Sequence, residues 1–246
     1  MPIIRIKSIT LGYRVLGSGP PLVFLPGMFL DQGAYSRFLA LLGKSYRIYA
    51  LDLPLHGRSG TPGRYLSLKD LSDILSIFIQ ALSLDNYTLC AHSAGALPAL
   101  LYASTNPPSL KELVLIEPGG AAPFRSVLPL LLNIIFIKPV VALYWSPRRA
   151  LILFEVGLVN FVRNLFNANF WTLVHASLRT DFIPFMKKVS SPVSLLWAKG
   201  DELLPYRTAQ LFLTHLKHAR LVTVNGSHDW PVLVPDEVKK FLHRGK

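Results

Sequence analysis

The chain has 246 residues, of which 51% are hydrophobic and only 16% are charged. This composition excludes a disordered chain and provides enough length to bury a sizeable core in one α/β domain with an insertion. The net charge is +12, from 26 Lys+Arg and 14 Asp+Glu, but the absence of a nucleic-acid motif and of a basic stripe with interleaved aromatics excludes nucleic acid as the expected partner.

Short apolar runs alternate with helix-like stretches along most of the chain, which predicts a mostly parallel sheet flanked by helices. The N-terminal residues alternate like a strand and lack the apolar block of a signal peptide, so we expect an intracellular, cytoplasmic protein. The predicted strands are residues 3–9, 11–16, 21–25, 47–51, 87–91, 113–116, 193–197 and 221–224. The predicted helices are residues 35–42, a helix opened by the capping box Ser67–Asp70, residues 94–104, and a C-terminal helix from about Pro235.

Residues 120–184 break the strand–helix alternation and contain long apolar runs, such as residues 130–136 and 151–154. We interpret this segment as a helical cap that is inserted into a core formed by residues 1–119 and 185–246. A membrane-spanning helix is the rival interpretation, and it requires roughly 20 continuous apolar residues. Polar and charged residues interrupt both candidate spans: Pro129, Asn133, Lys138 and Pro139 in one, and Glu155, Asn160 and Arg163 in the other.

The cap is both apolar and basic. Residues 121–188 contain eight Lys+Arg and two acidic residues, so they account for +6 of the net charge. Most of the large apolar side chains are explained by packing of the cap onto the core, and the remainder would line a hydrophobic pocket. A basic apolar surface is also suited to peripheral contact with an anionic membrane, and we state such contact as a hypothesis beside a simply solvated charged face.

Ser93 is the candidate nucleophile. It lies in Ala91-His92-Ser93-Ala94-Gly95, between a predicted strand and a predicted helix, where a nucleophile elbow would require small neighbours. The backbone N–H of Ala94 follows the serine at the start of the helix and can face a developing oxyanion. The alternative is that Ser93 only caps the helix.

Four segments in order along the chain resemble the α/β-hydrolase superfamily, and the resemblance covers nearly the whole chain. They are residues 25–28 (Leu-Pro-Gly-Met), residues 52–59 (Asp-Leu-Pro-Leu-His-Gly-Arg-Ser), the Ser93 elbow, and two late loops. The resemblance implies that Met28 provides the second oxyanion N–H, although Pro26 replaces the usual histidine. It also departs at Ala91, which stands where the G-x-S-x-G pattern has glycine.

The resemblance places the acid and the base in the two late loops. Residues 197–201 (Trp-Ala-Lys-Gly-Asp) are similar to the family's acid loop, and residues 225–231 are similar to its histidine loop, which implies Asp201 as the acid and His228 as the base. A serine hydroxyl needs a histidine base that a carboxylate holds in one tautomer, and the order Ser, Asp, His is that of this fold. Glu117, at the end of a predicted strand, remains an alternative acid.

We expect no metal and no cofactor, because the sequence has neither a His-x-x-x-His or Cys-x-x-Cys spacing nor a phosphate-cradling loop. Neither His56 nor His92 lies late in the chain after a strand, as the base should. We expect surface or core roles for the remaining histidines, which are His175, His215, His218 and His243. The leading function is hydrolysis of carboxylic esters of hydrophobic acyl groups through an acyl-enzyme. Thioester cleavage, carbon–carbon bond hydrolysis and perhydrolysis are alternatives on the same residues, and a non-catalytic ligand receptor is a third class.

Overall fold

A computed structural model describes residues 2–6, 8–63, 65–121 and 128–242. Eight strands form one sheet in the order β1-β2-β4-β3-β5-β6-β7-β8. The pairs β1–β2 and β2–β4 are antiparallel, and every later pair is parallel. The strands are β1 (Ile3–Ile6), β2 (Ile9–Leu16), β3 (Pro21–Leu25), β4 (Arg47–Leu51), β5 (Tyr87–His92), β6 (Leu110–Ile116), β7 (Val193–Ala198) and β8 (Ala219–Val224).

Helices follow most strands and cover both faces of the sheet. In the core they are α1 (Ser36–Leu42), α2 (Leu68–Ala81), α3 (Ala96–Ala103), α9 (Thr208–His215), α10 (Trp230–Leu233) and α11 (Lys239–Leu242). Between β6 and β7 lie α4 (Leu128–Leu132), a π-helical turn (Asn133–Ile137), α5 (Lys138–Trp145), α6 (Pro147–Asn164), α7 (Ala168–Arg179) and α8 (Ile183–Met186). The described residues between β6 and β7 are therefore mostly helical, and residues 122–127 of the predicted cap lie outside the described part of the chain.

The core consists of two apolar clusters, one on each face of the sheet. Successive residues of the central strands alternate between them: Leu89 and Ala91 pack with α2 and α3, whereas Cys90 packs with α1. Because both faces are covered, these strands are largely apolar on both sides, and all six residues of β5 are buried. This pattern explains why continuous apolar runs, and not alternating ones, mark the strands in the sequence.

The predicted architecture is confirmed, with local differences at element ends. The expected strand 3–9 is wrong in its extent, because the chain turns at Ser8, which has a φ of 66°, and Ile9 begins the next strand. The capping box is confirmed: Ser67 accepts a hydrogen bond from the N–H of Asp70, whose carboxylate accepts one from the N–H of Ser67. Sequence analysis missed α9 and α10, and His243 lies outside the described residues.

The parallel arrangement positions the site. The carboxyl ends of β5, β6, β7 and β8 lie at one edge of the sheet, and the loops that leave this edge carry Ser93, Glu117, Asp201 and His228. In open α/β sheets this edge is the usual place for ligands. The segment that contains α4 to α8 leaves the sheet at the same edge, after β6.

Candidate active site

Ser93 occupies a sharp turn between β5 and a short 3₁₀ turn (Ser93–Gly95) that leads into α3. Its φ of 50° is left-handed, a conformation that costs energy for a residue with a side chain and persists only where the surroundings enforce it. Gly95 makes the turn sterically possible, because a Cβ at this position would collide with the carbonyl oxygen of Pro26. This strained strand–turn–helix is the geometry expected of a nucleophile elbow.

The structure brings Ser93, His228 and Asp201 together, although 135 and 27 residues separate the bonded pairs. The Oγ of Ser93 lies 2.9 Å from Nε2 of His228. On the other side of the ring, Nδ1 of His228 lies 3.0 Å from Oδ2 of Asp201. His228 is 1% and Asp201 6% exposed, so the relay is shielded from water except at the serine. The arrangement connects a hydroxyl to a carboxylate through one imidazole.

Asp201 is held by its own loop. Its Oδ1 accepts hydrogen bonds from the N–H groups of Leu203 (2.9 Å) and Leu204 (2.7 Å), which leaves Oδ2 for the histidine. Burial by itself would lower the pKa of His228, but the charge and the hydrogen bond of Asp201 outweigh it, so that the pKa of His228 is raised above its ordinary 6.5. The carboxylate therefore fixes the ring and stabilises its protonated form.

Glu117 is a second carboxyl group near the same ring. Its Oε1 accepts a hydrogen bond from the N–H of Ala198 (3.0 Å), and its Oε2 lies 4.0 Å from Nδ1 of His228. That distance is too long for a hydrogen bond, whereas Asp201 is within bonding distance. Complete burial, together with the nearby charge of Asp201, raises the pKa of Glu117 well above its usual value, which favours the protonated, neutral form of the group.

In the described part of the chain, Glu117, Asp201 and His228 form a cluster of three side chains of the types that bind metals. Their potential ligand atoms lie within 4.8 Å of one another. One feature makes this cluster a poor metal site. Nδ1 of His228 is engaged with Asp201 and must carry a proton to donate to it, so it has no free lone pair for a metal.

The loop that carries Met28 is positioned by two histidines whose roles the sequence did not indicate. The N–H of Phe29 donates to Nε2 of His56 (3.3 Å), and Nδ1–H of His56 donates to the carbonyl of Pro54 (3.1 Å). Burial lowers the pKa of His56, which keeps the neutral tautomer that this pattern requires. His56 therefore anchors the Met28 loop to the segment that resembles the D-x-P-G-x-G-x-S loop.

His92, the residue before the serine, lies in a second chain of hydrogen bonds. The N–H of Gly27 donates to the hydroxyl of Tyr35 (3.0 Å), which lies 2.7 Å from Nδ1 of His92. Nε2–H of His92 then donates to the carbonyl of His228 (3.0 Å). Burial first, and then the charge of His228, lower the pKa of His92 to about 3, so the ring remains neutral. This chain connects the backbone before Met28 with that of His228.

A cavity lies between the elbow and the cap. Met28 and Ala94, whose backbone N–H groups were predicted to face an oxyanion, line it together with Ser93 and His228. Ala94 is in the first turn of a helix, where N–H groups lack an intrahelical acceptor. From the cap, α4 and the π-helical turn contribute Leu130 and Ile134.

A narrow apolar extension meets this cavity at Gly27, Met28 and Ala94. Its walls come from the core and from α7, and they include Leu53, Leu68, Leu71, Phe170, Leu173 and Val174. Apart from the histidines, the charged side chains that line the catalytic cavity are Lys138 and Asp229. They form an ion pair, in which Nζ of Lys138 lies 2.9 Å from Oδ2 of Asp229. Asp229 is thus directed at the cap and not at the ring of His228.

Comparison with known proteins agrees with this geometry. Residues 22–241 match the model of the family described as "Alpha/beta hydrolase family". A pimeloyl-[acyl-carrier protein] methyl ester esterase of Nitrosomonas europaea is 25% identical over 228 residues, which are 84% of this chain and 87% of that protein.

Solved structures share the fold. A membrane phospholipase A superposes with a TM-score of 0.80 at 22% identity, over 99% of this chain and 85% of the other. A bromoperoxidase from Bacillus anthracis superposes with a TM-score of 0.80 at 18% identity, over 99% and 98% of the two chains. At these identities the superpositions establish the fold alone.

Proposed function

The chain belongs to the alpha/beta hydrolase family, and from this premise we propose that it is a serine hydrolase that cleaves carboxylic esters of hydrophobic acyl groups. The observation that carries the proposal is the unbroken hydrogen-bonded line from Ser93 Oγ through His228 to Asp201. The esterase from Nitrosomonas europaea, which aligns over most of both chains, supports an ester as the bond that is cleaved.

In the proposed reaction, Oγ of Ser93 attacks the ester carbonyl while Nε2 of His228 accepts the hydroxyl proton. Asp201 stabilises the imidazolium that forms. The N–H groups of Met28 and Ala94 donate to the oxyanion of the tetrahedral intermediate. His228 then returns the proton to the leaving alcohol, and an acyl-Ser93 ester remains. A water molecule, deprotonated by His228, attacks this ester and releases the acid and free Ser93.

The walls of the cavity support a hydrophobic acyl group. Apolar side chains, among them leucines, a phenylalanine and a valine, form most of the narrow extension, and they cannot hydrogen-bond to a polar substrate. Lys138 and Asp229 neutralise each other, so the cavity offers no unbalanced charge to a charged acyl group. The extension meets the catalytic cavity beside Ala94, which places it within reach of an acyl chain attached to Ser93.

The test is hydrolysis of p-nitrophenyl esters of increasing acyl length by the wild type, Ser93→Ala and a matched control, Ser104→Ala. Ser104 lies at the end of α3, where its hydroxyl donates to the carbonyl of Leu101, away from the cavity. We expect one preferred length for the wild type and the control, and loss of turnover by at least about 10³-fold in Ser93→Ala.

A second readout identifies the nucleophile without a substrate. An organophosphonate that reacts with activated serines should add one equivalent of mass to the wild type and to Ser104→Ala, and none to Ser93→Ala. Absence of both ester turnover and labelling in a folded wild type would overturn the proposal. Labelling without ester turnover would retain Ser93 as the nucleophile and assign it to another acyl or carbon–carbon bond.

A further inference from the structure

The exposed large hydrophobic side chains of this protein are concentrated on one part of the chain. Of the 20 that the described residues contain, 16 lie between residues 128 and 171, on α4 to α7 and the segments between them. Phe166 is 95%, Tyr144 82% and Val140 67% exposed. A monomeric protein in water rarely leaves so many neighbouring apolar side chains uncovered, so this surface requires a partner.

The first of these helices is apolar on both sides. From α4 through the π-helical turn to α5, Leu130, Ile134 and Lys138 are spaced four residues apart and line the catalytic cavity. Residues on the other side, including Ile135, Phe136 and Val140, are exposed. The helix therefore roofs the cavity, and its outer surface is as apolar as its inner one.

Two polar side chains of this roof, Asn133 and Lys138, are bonded inward. The side-chain N–H of Asn133 donates to the carbonyl of Glu202 (2.7 Å), the residue after Asp201. Lys138 pairs with Asp229, the residue after His228. The two loops that carry the proposed acid and base thus hold the roof in place, and the outward side is left without these polar groups.

The outward side of α6 is largely apolar. Its buried residues are Ala150, Leu153, Asn160 and Asn164, and the two asparagines bond to the backbone of Gly57 and Leu55. Its exposed residues include the charged Arg148, Glu155 and Arg163 beside five large apolar side chains: Leu151, Ile152, Leu158, Val159 and Val162. So many large apolar side chains directed away from the protein indicate that a hydrocarbon environment covers this helix.

The charge of the same region selects the kind of hydrocarbon surface. Besides Lys138, whose charge Asp229 neutralises, residues 128–180 contain one acidic side chain, Glu155, and four basic ones: Arg148, Arg149, Arg163 and Arg179. A second copy of this chain would bring two such basic regions together and be repelled. Anionic lipid headgroups complement this charge, and the acyl chains beneath them accept the apolar side chains.

We propose that the exposed apolar side chains of residues 128–171, named here the outer face, dock onto an anionic lipid bilayer and that the catalytic cavity under the roof receives its ester from that bilayer. The second half of this statement rests on the proposed ester hydrolysis; the docking does not. Residues 128–145 form one helical run that is long and apolar enough to cross a membrane by length and composition. Because one side of this run lines the cavity and is tethered to the catalytic loops, it lies on the bilayer and does not cross it.

The experiment is flotation of the protein at low salt with two kinds of vesicle. One is phosphatidylcholine alone, and the other contains about 30% phosphatidylglycerol, which makes its surface anionic. The test variant is Phe136→Ser with Val140→Ser, two exposed residues that do not line the cavity. The matched control is Leu211→Ser, an exposed leucine on α9. We expect the wild type and the control to float with anionic vesicles, and the test variant to bind at least about tenfold more weakly because it loses two apolar side chains from the interface.

Three outcomes would overturn the docking. They are failure of the wild type to bind anionic vesicles at low salt, equal binding by the wild type and the test variant, and retention of bound protein through an alkaline carbonate wash, which would show a spanning helix. Light scattering tests the alternative that a second copy of the chain covers the outer face. A wild-type dimer that dissociates in the test variant, together with no vesicle binding, would assign the outer face to that second copy.

Turnover separates this inference from the proposed function. The test variant should hydrolyse a water-soluble p-nitrophenyl ester at the wild-type rate and lose at least about fivefold on an ester embedded in anionic vesicles, in line with its weaker binding. Vesicle binding by a wild type that hydrolyses neither ester would refute the proposed function and retain the docking. Hydrolysis of both esters at equal rates by all variants would refute delivery from the bilayer and retain the esterase.

Discussion

Two carboxyl groups approach the same nitrogen of His228, and exchanging each for its amide distinguishes their roles. Oδ2 of Asp201 lies 3.0 Å and Oε2 of Glu117 4.0 Å from Nδ1. In Asp201→Asn the side chain keeps its size but loses the charge that orients the ring and stabilises the imidazolium. We expect kcat to fall by about 10³- to 10⁴-fold, the loss typical of the equivalent change in a serine triad.

Glu117→Gln should behave differently because burial raises the pKa of Glu117 and so favours its neutral form. An ionised carboxylate 4 Å from the ring would stabilise the imidazolium by about 4 kcal/mol at an effective dielectric constant of 20, which corresponds to about 10³-fold in rate. A neutral carboxyl group contributes no such term, and the glutamine oxygen can still accept the hydrogen bond from the N–H of Ala198. We therefore expect a change of less than about threefold in kcat.

The assay is steady-state hydrolysis of the preferred p-nitrophenyl ester by the wild type and both variants between pH 5 and 9, with thermal melts to establish that each variant is folded. A loss near 10³-fold in Glu117→Gln together with a mild effect of Asp201→Asn would refute the assignment and make Glu117 the working acid. Large losses in both would show that the two groups act as one unit.

The remaining predictions concern pH, chain length and stability. Only neutral His228 accepts the serine proton, and its pKa is raised, so kcat/KM should be lost as pH falls through a value above 6.5; an acid limb centred at or below 6.5 would contradict this. Leu173→Trp fills the narrow extension, so it should shorten the preferred acyl chain and lower kcat/KM for the longest esters about tenfold. The surface variant Leu211→Trp should have neither effect. An unchanged length profile in Leu173→Trp would place the acyl chain elsewhere. Ser67→Ala removes the capping box of α2 and should cost about 1 kcal/mol, or a melting shift of about 2–4 °C, at unchanged turnover; an unchanged melting temperature by calorimetry would show that the cap contributes nothing.

The sequence predicted the architecture because its signals are local. Buried parallel strands require uninterrupted apolar runs, so β3, β4, β5 and β7 were located within a residue of their observed ends. A tight turn needs small residues around Ser93, and the helix α2 needs the cap that Ser67 and Asp70 form. Each of these requirements acts between residues within one turn or one strand, so it is visible in the local sequence.

The environment of the site was decided by tertiary structure. Glu117 and Asp201 both follow buried strands, and the resemblance of the Asp201 loop favoured Asp201 without excluding Glu117. The packing of β6 beside β7 makes Asp201 the hydrogen-bond partner of His228 and leaves Glu117 a buried neighbour whose pKa is raised. His56 and His92 gave no signal, because their partners lie on other segments, up to 136 residues away for His92.

The insertion shows the same division between local and distant information. Its composition predicted an apolar, basic helical segment, but a helix with polar and apolar residues does not state which side it buries. The hydrogen-bond partners of Asn160 and Asn164 are the N–H of Gly57 and the carbonyl of Leu55, over a hundred positions away, and they hold these two polar side chains against the core. Hydrophobic periodicity fixes the faces of a helix, whereas the hydrogen-bond partners that a fold brings to it decide which face meets the outside.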